Sequence, residues 1–460
     1  MVSWRQLVRR LGLDFLMSTI NTGSEKTPKK GVYYGWYVIA AMFFVGVAAT
    51  GSRMGFGVFV ETWEKEWGVS TAAISVAAAI GALVSGLTQP IFGRLTDKYG
   101  GRNVLILSLV VSGVATLGMA TISNVFGLII LYGFVLSFVF AGLTPAVTGA
   151  VVAQWFERRR GMAMGVLMAG AAVGAMVMVP FLSYALIEFG WQSAWVIIGV
   201  AMLVLGVPVL YLVVRSTPQE MGLNPDGDET VFTSTGEVEI KVRPVGPKYV
   251  DDWKKSYRSA PMWQLTFGFV VCGITSTSMT IHFVRWAISE DVSVGYAAFA
   301  FGVLSVLNAV GVLSMGILSD KMQRKNLLGL VYLTRAVAFV SLIVFPGNIA
   351  VWAFAFIGGL SWLATVPMTS SLAADVYGAR NLGTLFGFTL MAHQLGGAAA
   401  VLLFGMAFTA WGSYDAPFAV GAATLVAAGI VSFSINEKKH SVRYVQVPAG
   451  AALDSLEDGV

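Results

Sequence analysis

The chain has 460 residues, of which 56% are hydrophobic and only 12% are charged. Soluble domains carry about 25% charged residues, so this sequence cannot cover a water-facing surface and is expected to lie in lipid. The net charge of +5 then indicates basic loops on one side of a membrane and no nucleic-acid partner, and the single cysteine, Cys272, excludes an internal disulfide and gives no metal-site spacing.

Twelve apolar segments are long enough to cross the hydrocarbon as helices, which takes about 20 residues each. The six spans predicted in the first half are 35–60, 72–92, 103–122, 125–153, 162–187 and 193–214. The six predicted in the second half are 262–287, 295–318, 327–346, 349–372, 381–409 and 417–435. Because the segments are long and do not alternate apolar with polar residues, membrane-barrel strands are excluded. We therefore predict an all-α membrane protein with twelve transmembrane helices in two six-helix bundles.

The basic residues predict the orientation of these spans. If the N-terminus is cytoplasmic, nearly all of the 30 Lys and Arg residues fall on that side, and only Lys65 and Arg285 fall on the other. We therefore expect both termini in the cytoplasm. The predicted domains are a leader (1–34), a first bundle (35–214), a linker (215–260), a second bundle (261–436) and a tail (437–460), and the tail is expected to lack fixed structure.

A charged, glycine-rich stretch, Gly93–Arg102, follows the second span, and it has an echo at Gly316–Lys325 after the eighth. The aspartates of the two stretches, Asp97 and Asp320, are about half the chain apart. The sequence therefore consists of two related halves.

Two parallel halves of six spans, with Gly-x-x-x-Asp-Lys-x-Gly-x-Arg after the second span, resemble the major facilitator superfamily of secondary transporters. The resemblance implies that Asp97 docks on the eleventh span and near an arginine, and so closes the cytoplasmic side. Gly93 would allow the close approach, and Arg102 and Arg158 are the expected partners of Asp97. The other residues assigned to this gate are Asp320 and Arg335, with Arg335 expected to pair with a carboxylate such as Asp320 or Asp375.

A narrower likeness lies in Trp155–Gly165, which is similar to the signature of the monocarboxylate transporter family. Gly51–Phe59 and His393–Gly397 resemble bacterial relatives of that family, which include oxalate/formate exchangers. The chain lacks the aspartate–arginine pair that animal members carry in their eighth span. The resemblance implies transport of small carboxylates.

One cation, Arg53, lies inside the first predicted span, where a charge costs several kcal/mol unless it meets a cavity or a partner. We therefore expect Arg53 to contact an anionic substrate; the alternatives are snorkelling to the interface or a pair with Glu61. His282 is expected beside Arg53 in one vestibule, and His393 near mid-membrane, although either histidine could instead be a packing residue with satisfied hydrogen bonds. The remaining candidates for the cavity lining are Gln394, Asn308 and Trp362, and for Trp362 packing is the main alternative.

The sequence thus predicts a secondary active transporter of small organic anions, first of all monocarboxylates, in the inner (plasma) membrane. Coupling would be proton symport or anion exchange, by a monomer surrounded by lipid, without cofactor or metal. No phosphate-binding Walker loop is present, and no catalytic cluster suggests an enzyme. An exporter of neutral or hydrophobic compounds and a non-transporting membrane sensor are the alternatives.

Overall fold

The computed structural model describes residues 32–228 and 244–447, together with two short strands between them, Val231–Phe232 and Val238–Glu239. Almost all of the predicted leader and residues 448–460 of the predicted tail lie outside the described residues. The two strands pair antiparallel, and Val245 bridges to Val447. All other regular structure in the described part of the chain is helical.

Six helical segments form the first half: α1 (Tyr34–Met54), α2 (Phe56–Trp67), α3 (Thr71–Tyr99), α4 (Gly101–Met119), α5 (Val125–Trp155) and α6 (Arg160–Val213). The segment α5 changes from α-helix to π-helix over Ile129–Leu136 and to a 3₁₀ turn over Ala141–Leu143. Short helical turns at Pro218–Met221, Pro225–Gly227 and Trp253–Ser256 lie between the halves.

Eight helices follow: α7 (Ala260–Ser289), α8 (Val294–Lys321), α9 (Arg324–Val344), α10 (Gly347–Gly359), α11 (Thr365–Tyr377), α12 (Leu382–Trp411), α13 (Asp415–Ser434) and α14 (Glu437–His440). Nine helices in the described residues are long and apolar enough to cross a membrane, and two further apolar stretches, Tyr34–Thr50 and Gly347–Gly359, are shorter. The fold is thus the expected helical one.

The longest helical segment, α6, is kinked. Its 54 residues would extend roughly 80 Å if straight, at about 1.5 Å per residue. Gly190 interrupts it with φ 79 and ψ 164, a conformation that glycine adopts without a steric penalty. Therefore α6 consists of two arms joined at Gly190.

The two halves pack on each other through α3 with α12 and α6 with α8. At the first contact, a Cβ on Gly93 would lie 2.0 Å from the carbonyl oxygen of Gly383, and at the second a Cβ on Gly161 would lie 2.5 Å from that of Gly316. Both distances are too short for any side chain. Glycine at these positions is therefore what lets the backbones of the two halves meet.

Arg335 of α9 supports the break between α10 and α11. Its guanidinium is buried and donates hydrogen bonds to the carbonyl oxygens of Ser361 and Trp362, and to Cys272 Sγ at 3.2 Å. These carbonyls lie where α10 ends, so they have no partner within a continuing helix. The prediction that Arg335 pairs with Asp320 or Asp375 is wrong, because its Nη groups donate to these helix-end carbonyls and to Cys272 instead.

Two other predicted lining residues belong to the same break. Asn308 Oδ1 accepts a hydrogen bond from the backbone N of Leu363 at 2.9 Å, and Asn308 is buried. The Trp362 ring lies under the Arg335 guanidinium, 5.6 Å from its carbon to the ring centroid. Both side chains thus hold the connection in place.

The beginning of the tail is ordered against the second half. Glu437 is fully buried and accepts a hydrogen bond from the backbone N of Lys325 at 2.9 Å. Arg443 donates to the carbonyl oxygens of Ser319, Asp320 and Met322 at 3.1, 2.8 and 3.1 Å. The expectation of no fixed structure is therefore wrong for residues 437–447.

Replacing Arg335 by Ala should destabilise the protein, because the carbonyls of Ser361 and Trp362 would lose their donors. Each unsatisfied buried group costs about 1–3 kcal/mol, so we expect a clear fall in the thermal unfolding temperature in detergent. Arg258→Ala, at an exposed arginine of the linker, is the control and should leave that temperature unchanged. Equal stability of the two variants would contradict the role assigned to Arg335.

Candidate functional site

A cavity of about 310 Å³ lies between the two halves. The first half contributes side chains from α1, α3, α4, α5 and α6, and the second half contributes α7, α11, α12 and Leu363. The polar lining residues are Thr50, Arg53, Ser85, Gln89, Thr144, Thr148, His393 and Gln394. The rest of the lining is apolar or glycine.

Arg53 brings a positive charge to this cavity. Its Nη2 lies 3.4 Å from the carbonyl oxygen of Gly81, and its guanidinium lies 4.5 Å from the centroid of the Phe140 ring. Arg53 makes no ion pair with any residue that the structure describes, and no carboxylate is among the lining residues. The alternative partner Glu61 instead pairs with Lys65 at 2.6 Å. The guanidinium therefore gives the cavity a positive potential without a counter-charge.

The second half contributes the adjacent pair His393 and Gln394 on α12. His393 Nδ1 lies 3.2 Å from Gln394 Oε1, and the imidazole lies 5.0 Å from the ring centroid of Phe269. Both side chains are partly exposed. Arg53, His393 and Gln394, which the sequence singled out separately, thus line one cavity.

Gln89 and Thr144 are two of the polar lining residues that were not predicted from the sequence. The Thr144 hydroxyl donates to Gln89 Oε1 at 2.8 Å, and both side chains are buried. Each stands directly before a proline, Pro90 or Pro145, inside an apolar segment. A polar residue beside a proline in such a segment was the available signal.

His282 is not brought into this cavity. Its Nδ1 lies 3.1 Å from the Tyr414 hydroxyl and its Nε2 lies 3.0 Å from the carbonyl oxygen of Val401. The imidazole thus joins α7 to α12 and to the start of α13. The structure does not give His282 and Arg53 the common vestibule that the sequence predicted, and Asn308 and Trp362 also lie outside the cavity lining.

Asp97, at the end of α3, caps the first turn of α12. Its Oδ1 accepts a hydrogen bond from the backbone N of Gly383 at 2.9 Å. Its Oδ2 accepts from the backbone N and the hydroxyl of Thr384 at 2.7 and 2.6 Å. A carboxylate is stabilised here by free N–H groups and by the positive end of the helix.

Asp320 makes the equivalent contact in the opposite direction. Its two carboxylate oxygens accept hydrogen bonds from the backbone N of Gly161 and Met162, at the first turn of α6, at 2.7 and 2.8 Å. Each half thus inserts an aspartate into a helix start of the other half. We call the end of the molecule that carries these contacts and the chain between α6 and α7 the linker side.

The two arginines predicted as partners of Asp97 bind elsewhere. Arg102 donates to the Tyr211 carbonyl at 2.7 Å and lies over the Tyr211 ring. Arg158 pairs with Asp228, and Asp226 lies 4.0 Å from its Nε. Linker carboxylates therefore occupy Arg158, and both predicted pairs with Asp97 are wrong.

A buried ion network that the sequence did not predict reinforces the Asp320 contact. Asp375 Oδ1 accepts from Arg160 of the other half at 2.6 Å, and Asp375 Oδ2 accepts from Arg324. Arg324 also pairs with Asp320 at 3.1 Å. Arg160, Asp375 and Arg324 are 5%, 2% and 0% exposed. Arg324 pairs with Asp375 and Asp320 within the second half, whereas the pair of Arg160 with Asp375 forms only while the halves stay together on this side.

Comparisons with known proteins agree with this architecture. The family model described as Major Facilitator Superfamily matches residues 42–401. The uncharacterized MFS-type transporter YcxA of Bacillus subtilis is 24% identical over 379 residues, covering 81% of this chain and 88% of that protein. Human monocarboxylate transporter 12 is 23% identical over 426 residues, covering 87% and 80%.

Solved structures show the same fold. The transporter FucP, an E. coli fucose:proton symporter, superposes in its outward conformation with a TM-score of 0.62 at 14% identity, covering 87% of this chain and 98% of FucP. The matches are to membrane transporters, and the apolar helices are those of a multi-pass membrane protein. By the family match over most of its length, this chain is a non-enzymatic membrane transporter and belongs to the Major Facilitator Superfamily.

Proposed function

We propose that the protein is a secondary active transporter that moves small organic anions, monocarboxylates in particular, across the inner (plasma) membrane by alternating access. The observation that carries the proposal is the cavity between the halves, whose Arg53 has no carboxylate partner among the described residues. The similarity to human monocarboxylate transporter 12 supports this cargo class.

The proposal includes twelve membrane crossings with both termini in the cytoplasm. If α1 with α2 and α10 with α11 each cross once, and the two arms of α6 cross separately, each half has six crossings. The linker side then carries most basic residues and faces the cytoplasm.

A carboxylate suits the cavity for two physical reasons. An unpaired guanidinium in a membrane helix is costly, and a carboxylate can accept two parallel hydrogen bonds from it. His393 and Gln394 supply further hydrogen-bonding groups, while the apolar lining suits a small hydrocarbon body. One end of the cargo would thus be held by charge and the other by burial.

Alternating access would open the contacts of Asp97 and Asp320. In the present conformation both aspartates hold the halves together, so the linker side is closed. Opening would break the caps on α12 and α6 and separate Arg160 from Asp375. The cavity, which lies between the halves, would then exchange with the cytoplasm.

Arg53→Gln tests the cargo class. Hydrogen bonds to charged groups contribute about 1.5–3 kcal/mol, and 1.4 kcal/mol is tenfold in affinity, so we expect carboxylate affinity to fall at least about tenfold. Stabilisation of the purified protein by monocarboxylates on heating and uptake into proteoliposomes are the measurements. Arg285→Gln, at an arginine that stacks on Phe408 outside the cavity lining, is the matched control.

Three outcomes would contradict this assignment. Unchanged carboxylate affinity in Arg53→Gln would remove the role of the guanidinium. Transport of neutral compounds that is insensitive to Arg53→Gln would indicate an exporter of such compounds. Carboxylate binding without flux in sealed vesicles would indicate a sensor.

His393→Gln tests coupling, because histidine is the side chain that ordinarily changes charge between pH 5 and 8. In proton symport through His393, the variant should lose stimulation of uptake by an inward proton gradient and keep carboxylate exchange at equal pH. His282→Gln is the control and should keep the stimulation. If a proton gradient has no effect even on the natural sequence, and uptake needs a carboxylate inside, the protein is an anion exchanger.

Asp97→Asn tests the closed linker side. Ser370 of α11 is buried against Gly149 of α5, across the two halves, so Ser370→Cys should react with maleimide only when this side opens. A loss of about 1 kcal/mol from the cap should raise the labelling rate roughly fivefold. Asp415→Asn, at the start of α13 and away from the linker side, is the control and should not raise the labelling rate. The protein with Cys272 as its single cysteine gives the background labelling.

A further inference from the structure

A second, smaller pocket of about 40 Å³ adjoins Arg53 inside the first half. It shares three wall residues with the cavity, Arg53, Phe140 and Leu143. The rest of its lining comes from α1, α4, α5 and α6. Arg53 therefore stands at the boundary of two spaces, one between the halves and one within the first.

Two hydrogen-bond donors of this side pocket have no partner. The Ser112 hydroxyl and the Trp195 indole Nε1 are buried, with residue exposures of 4% and 2%, and neither makes a hydrogen bond within the described residues. A buried donor without a partner costs about 1–3 kcal/mol, so such groups in a native protein call for an explanation. An acceptor bound in the pocket would satisfy both groups.

Other polar groups of the pocket are already used. The Tyr132 hydroxyl donates to the backbone oxygen of Arg53 at 3.4 Å, and the Ser137 hydroxyl donates to the backbone oxygen of Tyr132 at 2.9 Å. The Thr116 hydroxyl lies 3.9 Å from Met202 Sδ. What remains free is a set of donors beside a guanidinium, with no carboxylate in the lining.

We propose that the side pocket binds one small inorganic anion of the halide class, held by Arg53, Ser112 and Trp195. A volume of about 40 Å³ exceeds the 10–15 Å³ that one water needs, so a monatomic anion fits, whereas a carboxylate with a hydrocarbon body does not. The anion would compensate Arg53 when no cargo is bound. Halide binding itself does not depend on the identity of the cargo. The idea that halide and cargo compensate Arg53 in turn rests on the proposed function.

Bromide titration of the purified full-length protein tests the site. Sodium sulfate, whose anion is larger and doubly charged, is replaced stepwise by sodium bromide at constant ionic strength, and the thermal unfolding temperature is measured. We expect a saturable rise. Ser112→Ala and Trp195→Phe each remove one donor and should weaken the apparent bromide affinity at least about fivefold. Ser108→Ala is the matched control, because Ser108 is also a buried serine of α4 without a partner but does not line the pocket.

Anomalous scattering from bromide provides the direct measurement and should place one ion between Arg53, Ser112 and Trp195. The proposal is overturned if no saturable rise occurs, if Ser112→Ala and Ser108→Ala respond alike, or if the pocket holds only water in bromide. Carboxylate titration in the sulfate buffer reports on the cargo site separately. Ser112→Ala should leave that titration unchanged, so a failure of the halide site and a failure of the proposed function give different results.

Discussion

Two aspartates hold this structure together by inserting into the helix starts of the opposite half. The first N–H groups of a helix have no partner within it, and the carboxylates of Asp97 and Asp320 fill that need on α12 and α6. Because the contact is made to backbone N–H groups, the helix axes must come close, and this requires glycine at Gly93 and Gly161. The cavity exists because the halves meet through these pairs and leave space between them.

The two contacts are related by the internal repeat but are not equal. Among the residues that the structure describes, Asp97 accepts hydrogen bonds from backbone groups and from the Thr384 hydroxyl and forms no ion pair. Asp320 also joins the chain of charges through Arg324, Asp375 and Arg160. Separating a buried ion pair leaves uncompensated charges and is strongly unfavourable. Water must therefore reach the Arg160–Asp375 ion pair before the contact at Asp320 can separate. At the Asp97 contact, water has to replace the hydrogen bonds to Gly383 and Thr384.

The sequence predicted the features that depend on local pattern. Segment hydrophobicity predicted the helices, and the resemblance carried by Gly93–Arg102 implied the contact of Asp97 with α12. The partners of the arginines were not predictable, because Arg158 is bound by Asp226 and Asp228, linker residues whose position depends on how the linker folds back.

The prediction that His282 shares a vestibule with Arg53 was wrong for a related reason. Helical spacing gave the face of α7 on which the imidazole lies, but not the rotation of α7 against its neighbours. The hydroxyl of Tyr414, which is far from His282 in the sequence, forms a hydrogen bond with His282 Nδ1. The break between α10 and α11 follows Gly358 and Gly359, and it is stabilised by a tertiary contact that the segment itself does not predict, the guanidinium of Arg335 on two carbonyls. Arg335 and Arg53 also show that charges inside predicted spans can have very different surroundings.

These two arginines differ in what surrounds them. Arg335 is wholly buried, and its Nη1 and Nη2 groups donate to fixed protein acceptors, so moving the guanidinium would break these hydrogen bonds. Arg53 is partly exposed, with one long contact to Gly81 and the face of Phe140. A guanidinium placed in this way keeps most of its hydrogen-bonding capacity unused, at a depth where burying a charge is expensive. In the proposed function, a mobile anion compensates this charge in one state and leaves in the next, and that reversibility is what a carrier requires of its binding site.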